Sequence, residues 1–298
     1  MKSRKFKIHH LEHQFYFWGN PKKPKLFLFH GWLDMGASFQ FLCEYLEKDF
    51  YCIAPDLRGY GKSAHTPNPL GYFFAEYVAD VHAILQKFSP REKVRILGHS
   101  LGGGISSFYA GAFPERVSHF INVEGFAFRN NSPERGPEKI RTWIEQLSHL
   151  KGFNTFKDLS HFAKRLTEIN PRLPLDRALF FAKHLTKRVA SGVRMAADPK
   201  HILAEPYTLS KSQFYPFWEK IQAQCLLVYA NLSNMNDWVK SDNLKKEMKD
   251  WFQHFPKDSK KVEIKNCGHM VHHEKPEELA KVVLEFLHGS FPRKREST

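Results

Sequence analysis

One stretch limits what this chain can fold into more than any other: Val94-Arg95-Ile96-Leu97, followed without a break by Gly98-His99-Ser100-Leu101-Gly102. The apolar residues of 94–97 predict a short buried strand. Ala, Gly and aromatic residues at helical spacing over 101–113 predict a helix. No residues are left between them for a loop, so strand must turn into helix with Ser100 at the apex. Glycines two before and two after the serine suit such a turn, where a Cβ would strike neighbouring backbone. The serine Oγ then stands clear of the sheet, at a helix N-terminus whose dipole favours a nearby oxyanion. A Gly-rich junction with an incidental serine fits the same five residues. A phosphate-binding loop does not, because no Gly-Lys-Ser/Thr follows.

The surrounding chain repeats the strand-to-helix alternation. Apolar runs at 25–29, 51–54 and 117–123 end at His30-Gly31-Trp32-Leu33-Asp34, at Pro55-Asp56-Leu57-Arg58-Gly59-Tyr60-Gly61-Lys62-Ser63 and at Glu124-Gly125. Phe39, Leu42, Tyr45 and Leu46 form one helical stripe, and Tyr77, Val81, Ile84 and Leu85 mark a second helix over 72–88. Nearly continuous apolar strands alternating with helices predict an α/β fold, a mostly parallel sheet covered on both faces. Functional groups then gather at the carboxyl ends of the strands, where His30-Gly31, Asp56, Ser100 and Glu124 all fall.

Residues 6–18 predict a strand or hairpin. After residue 126 the alternation stops, and helical stretches over 138–150, 156–169, 175–188 and 201–209 are punctuated by prolines. Strands resume at 224–230 and 261–264, with helices over 243–255 and 277–287. The expected organisation is a core of 1–125 and 218–298 with a helical cap, 126–217, inserted over the strand ends.

Length and charge narrow the class. The 298 residues suffice for one large α/β domain with an insertion, and 42% hydrophobic content suits a globular protein. The net charge of +14 is dispersed along the chain without a nucleic-acid-binding signature, so specific nucleic-acid binding is not expected. No apolar run reaches membrane-span length, and the basic N-terminus leads into no apolar signal segment. Cys43, Cys52, Cys225 and Cys267 form no C-x-x-C pair. A reduced, cytoplasmic protein without a metal site or cofactor is therefore expected.

His30-Gly31-Trp32, Asp56 to Ser63, Gly98-His99-Ser100-Leu101-Gly102-Gly103, and Gly268-His269 followed by Glu274 and Pro276 occur in an order that resembles the α/β-hydrolase superfamily along essentially the whole chain. His30-Gly31-Trp32-Leu33-Asp34 and Leu97-Gly98-His99-Ser100 are most similar to the serine hydrolase-like proteins and related bacterial hydrolases. The resemblance implies a Ser-His-acid triad for acyl transfer, with Ser100 as nucleophile and His269 as base. The oxyanion hole would be the backbone N–H groups of Trp32 and Leu101. His30 would orient the oxyanion loop and, with the Trp32 indole, line the substrate pocket. Ser100 in place of an aspartate excludes the dehalogenase and epoxide-hydrolase mechanisms of the superfamily.

The acid departs from the commoner pattern. Relatives place an Asp shortly after the strand here at 225–229, and this chain has Ser233 at that position. Glu124, at the end of the preceding strand, is the favoured replacement, because an apolar strand that delivers a carboxylate to the site rim needs a partner for the charge. Some haloalkane dehalogenases carry a Glu there. Asp237 is the alternative, and a purely structural Glu124 is the plainer reading.

Other expectations are structural: His99 packing beside the turn, His272 and His273 as loop or capping residues, Asp56 and Arg58 as a loop-bracing ion pair, and Asp34 as a helix cap. The expected reaction is hydrolysis of a small to medium apolar acyl ester through an acyl-enzyme. Phe126, Phe128, Trp143, Phe153, Phe156, Phe162, Phe180, Phe181 and Met195 are available from the cap. Thioesterase, amidase and carbon–carbon-bond hydrolase chemistry stay open, with a lyase as a weaker option. The rival class is a non-catalytic ligand-binding protein, supported by the altered turn at 230–233.

Overall fold

A computed structural model describes residues 1–126, 133–207 and 209–290 of the chain. The apolar runs form the strands of an eight-stranded sheet. The chain opens with an antiparallel hairpin, β1 (Lys2–Ile8) and β2 (Leu11–Trp18), and continues through β3 (Lys25–Phe29), β4 (Tyr51–Pro55), β5 (Val94–His99) and β6 (Val117–Val123). Strands β7 (Thr155–Phe156), β8 (Thr186–Val189) and β9 (Gly192–Met195) form a separate three-stranded sheet. β10 (Gln224–Ala230) and β11 (Lys260–Ile264) complete the main sheet, in the order β1-β2-β4-β3-β5-β6-β10-β11. From β4 to β11 all neighbours run parallel.

The central strands read as unbroken apolar runs because both of their faces are covered. Phe27, Phe29, Ile96 and Phe120 point into one core with helices Phe74–Phe88 and Leu101–Ala112. Leu26, Leu28, Leu97 and Ile121 point into the other, with helices Gln40–Leu46 and Pro276–Leu287. The outermost strand β1 is almost wholly exposed and carries Lys2, Arg4, Lys5 and Lys7. Charges there discourage edge-to-edge pairing with another chain, and they account for part of the positive balance.

The segment between β6 and β10 departs from the expected run of helices. Helices Gly136–Ser148, Leu159–Ile169 and Leu175–Leu185 form, but the last stops where Thr186 begins β8. A hairpin through Gly192, at φ +136°, pairs β8 with β9. The helix expected over 201–209 is only a single 3-10 turn, Pro199–Ile202. Helix Lys211–Glu219 was not legible because Pro216 lies inside it. It packs on the core: Trp218 Nε1 donates to Ser107 Oγ at 3.0 Å, on helix Leu101–Ala112. Phe128 and the tail from residue 291 lie outside the described residues. Among the described residues, no helix is long and apolar enough to cross a membrane.

Candidate active site

β5 runs directly into helix Leu101–Ala112, and Ser100 at the junction has φ +51° and ψ −118°. A left-handed non-glycine residue costs of order 1–3 kcal/mol and persists only where its surroundings over-determine it. Here the surroundings are backbone. A Cβ on Gly98 would lie 2.5 Å from the Gly102 carbonyl oxygen, and one on Gly102 would lie 2.1 Å from the Phe29 carbonyl oxygen. Ser100 N–H donates to the Val123 carbonyl at 2.9 Å, which ties the turn to β6. The N–H of Leu101 opens the helix and has no intrahelical acceptor.

Glu124 follows the last residue of β6 and is also left-handed, at φ +58°. Its N–H donates to the Val228 carbonyl of β10 at 2.9 Å, and its side chain is fully removed from solvent. His269 Nδ1 lies 3.0 Å from Glu124 Oε2. The same oxygen accepts the Ser233 hydroxyl, and Oε1 accepts the Ala230 N–H at 2.8 Å. Burial pushes the Glu124 carboxyl up to about 7, against the hydrogen bonds from Ser233 and Ala230 that favour the carboxylate. Burial also pushes His269 down to about 4, so its imidazole is neutral at neutral pH. Asp237 lines the same cavity on the short helix Met235–Val239 but makes no side-chain hydrogen bond or ion pair among the described residues.

The loop carrying His269 is braced from outside. Gly268 N–H donates to Glu274 Oε2 at 2.7 Å, and Arg172, from the segment between β6 and β10, pairs with that oxygen at 2.6 Å. Asn170 donates to Oε1 at 2.9 Å. His99 is buried, with Nε2 2.9 Å from the His269 carbonyl oxygen. Burial pushes its ring down to about 3, so it supports the loop as a neutral group.

Ser100, His269 and Glu124 share a cavity of about 640 Å³ with Gly31, Trp32, Leu101, Asp237 and Lys240. Trp32 is 55% exposed. His30 was expected both to orient the oxyanion loop and to line the pocket; it does not line the cavity but bonds the loop backbone. It is fully buried, with Nδ1 2.8 Å from the Gly31 carbonyl oxygen and Nε2 accepting the Leu57 N–H at 2.9 Å. The cap aromatics are mostly core: Phe126 packs on Trp251 and Phe252, while Phe162 and Phe181 are buried in the other core. Trp143 faces a smaller cavity of about 280 Å³ beside Trp32 and Leu101. Phe74, Lys240 and Met270 line the cavity that holds Ser100 and were missed. Ser233 was seen only as a missing acid. Its place in the turn after β10, a neighbour of β6, was the available signal.

Three further expectations are corrected. Asp56 and Arg58 do not pair. Asp56 accepts the N–H groups of Gly36 and Lys62 at 2.7 and 2.8 Å, while Arg58 forms a bidentate pair with Asp80 and reaches Glu76, each at 2.6 Å. Asp34 does not cap a helix but faces His272 at 3.1 Å and His273 at 3.5 Å, and accepts the Ser38 hydroxyl at 2.9 Å. His272 and His273 are correspondingly buried rather than capping residues. Burial alone would raise the Asp34 carboxyl, but the charges and hydrogen bonds of these histidines hold it well below the usual carboxylate range. Their ligand atoms lie within 4.8 Å of one another, a spacing a metal ion could use. The cysteines are all free and buried, and burial pushes the Cys267 thiol well up, which leaves it a poor nucleophile.

Comparison with known proteins agrees with this architecture. The model of the α/β hydrolase fold family matches residues 24–276. The chain belongs to that family. This hydrolase is 26% identical over 291 residues to human serine hydrolase-like protein 2, covering 91% of this chain and 88% of that protein. It is 28% identical over 298 residues to the mouse serine hydrolase-like protein, covering 91% of each. Among solved structures, the thioesterase domain from the curacin biosynthetic pathway superposes with a TM-score of 0.86 over 95% of this chain and 99% of that domain, at 23% identity, a likeness of fold alone.

Proposed function

We propose that the protein is a serine esterase that works through Ser100, His269 and Glu124. The observation that carries this reading is the 3.0 Å contact between His269 Nδ1 and Glu124 Oε2 in the cavity that also holds the strained Ser100. A carboxylate on Nδ1 fixes the tautomer whose Nε2 lone pair can act as a base, and stabilises the imidazolium formed when that base takes a proton.

In acylation, Ser100 Oγ attacks the ester carbonyl and its proton passes to His269 Nε2. The tetrahedral oxyanion accepts hydrogen bonds from the N–H groups of Trp32 and Leu101. The C–O bond to the alcohol breaks, and the alcohol leaves with the proton from His269. Water then attacks the acyl-enzyme, giving its proton to His269, and the acid departs as Ser100 regains its hydrogen.

The cap is shorter than 126–217, because helix Lys211–Glu219 packs on the core helix Leu101–Ala112. The cavity's apolar wall, including Phe74, Trp32 and Met270, suits a small to medium apolar acyl group.

The test is covalent labelling with a fluorophosphonate, comparing wild type with Ser100→Ala and His269→Ala, followed by a panel of short and long acyl esters. Labelling and turnover that vanish in both variants are expected. Labelling that persists without Ser100, or none in the wild type, would sink the proposal.

A further inference from the structure

We infer that Ser233 is a positioning residue whose hydroxyl holds the Glu124 carboxylate against His269, so that the turn after β10 serves as a holder for an acid delivered by β6. This rests on the triad reading above. It arises from a contact between residues separated by 109 positions, which meet because β6 and β10 are neighbours in the sheet.

Glu124 has two carboxylate oxygens and three donors around them. Oε1 takes the Ala230 N–H at 2.8 Å, while Oε2 takes both the Ser233 hydroxyl and His269 Nδ1, the latter at 3.0 Å. A carboxylate bound only through Oε1 and the histidine could rotate about its last bond, carrying Oε2 off the Nδ1 axis. Ser233 occupies the second lone pair of Oε2 and opposes that rotation.

The turn itself is well anchored. Leu232 N–H donates to the Cys267 carbonyl at 2.9 Å, and Asn231 N–H to the Ile264 carbonyl at 3.2 Å. Thus the turn holding Glu124 is tied to the segment leading into His269, and acid and base are registered to one another.

The hydroxyl also has an electrostatic role. Glu124 is buried, and burial favours its neutral form, which cannot serve His269 as an anion. A donor on Oε2 favours the carboxylate and extends its ionised range toward lower pH. Ser233→Ala removes that donor, and no other hydroxyl bonds Glu124 among the described residues.

Geometry also makes the roles of the two positions exchangeable. Ser233 Oγ and His269 Nδ1 bond to the same oxygen atom, so an aspartate at 233 reaches one bond further toward the imidazole.

The experiment uses the full chain in four variants: Ser233→Ala, Ser233→Thr, Glu124→Gln, and Glu124→Gln combined with Ser233→Asp. The pH profile of kcat/KM is measured on a short fluorogenic ester, and the His269 Nδ1 proton is followed by NMR. Ser233→Ala is expected to lose roughly 10- to 100-fold, the scale of a hydrogen bond to a charged group. Its acid limb should move upward by about one pH unit, while Ser233→Thr retains activity and limb. Ser233→Asp should restore at least about tenfold to Glu124→Gln, one factor of ten being a modest transition-state gain.

A Ser233→Ala variant whose acid limb does not move, whatever its rate, overturns the inference, since a packing defect lowers the rate without moving the limb. A double variant no better than Glu124→Gln overturns the exchange of roles. If the wild type hydrolyses no ester, the triad reading fails by itself. The Nδ1 resonance then decides on Ser233: a shift in Ser233→Ala supports the contact, and an unchanged resonance removes it.

Discussion

Glu124 and Asp34 are both buried carboxylates facing histidines in the same layer of the molecule, yet they sit at opposite ends of the acidity scale. Burial raises Glu124 to about 7, whereas Asp34 is held well below the ordinary range despite equal burial. The difference lies in how many partners each carboxylate faces, since burial lowers His272 just as it lowers His269. Asp34 faces both His272 and His273 and accepts Ser38 as well. Glu124 faces a single histidine that burial keeps neutral, plus two neutral donors. Asp34 is therefore a locked charge that fixes the short helix Val271–Glu274 against the loop after β3. Glu124 is poised, ready to strengthen its bond when His269 gains a proton.

The strongest break of this contrast is Glu124→Gln, which should lower kcat/KM by about 10² to 10⁴, in line with loss of a triad acid elsewhere. Stability should move the other way. Glu124 has a raised folded pKa, so its contribution is fully present below about pH 4.5 and lost as pH rises through about 7. At pH 8 the glutamine variant should melt higher, by up to about 3 kcal/mol at roughly 1.4 kcal/mol per pH unit. Calorimetry at pH 5 and pH 8 checks the sign, and a variant less stable at pH 8 than at pH 5, relative to wild type, contradicts it.

Asp34→Ala should be the mirror image: a loss of about 3–5 kcal/mol in chemical denaturation, the scale for breaking a buried pair. Its own stability contribution is present above the ordinary Asp pKa and lost as pH falls through its depressed folded value, so the deficit should shrink in acid. An Asp34→Ala protein as stable as wild type at pH 7 would erase the distinction between the two carboxylates.

A gentler probe is pH itself. Turnover by the wild type should fall as pH drops below about 7, where Glu124 takes up a proton, and not only near 4, where His269 does. A limb near 4 alone would place the controlling proton on the imidazole. The smallest effect belongs to Asp237→Ala, expected within about twofold of wild type, since its side chain lines the cavity without a hydrogen bond or ion pair among the described residues. A loss approaching that of Glu124→Gln would transfer the acid's role to Asp237.

Much of this was legible in the sequence, for a local reason. Each apolar run that became a central strand ended in a short polar motif, and in a parallel sheet those ends converge. That pattern places Ser100, Glu124, Trp32 and the His269 loop in one region. What could not be read depends on which strands are neighbours. The bonds from Ser233 to Glu124 and from His272 to Asp34 join loops far apart in the chain. The cap aromatics could not be divided between pocket and core, because helical spacing reports burial without saying where: Phe126 and Phe181 are packed into the cores. Pro216 hid a helix, since its local rule is outweighed by Trp218 packing beneath Ser107.

The pairing of Arg172 with Glu274 has a consequence for anyone who reshapes this protein. Glu274 keeps only 2% of its side chain exposed, and it holds the peptide before His269. Its counter-charge comes from a different part of the chain, the segment lying between β6 and β10. Excising that segment would strand an anion in a dry niche next to His269. A minimal scaffold built on the sheet and its flanking helices therefore needs a compensating change at position 274, or it inherits a frustrated loop where its chemistry is meant to occur.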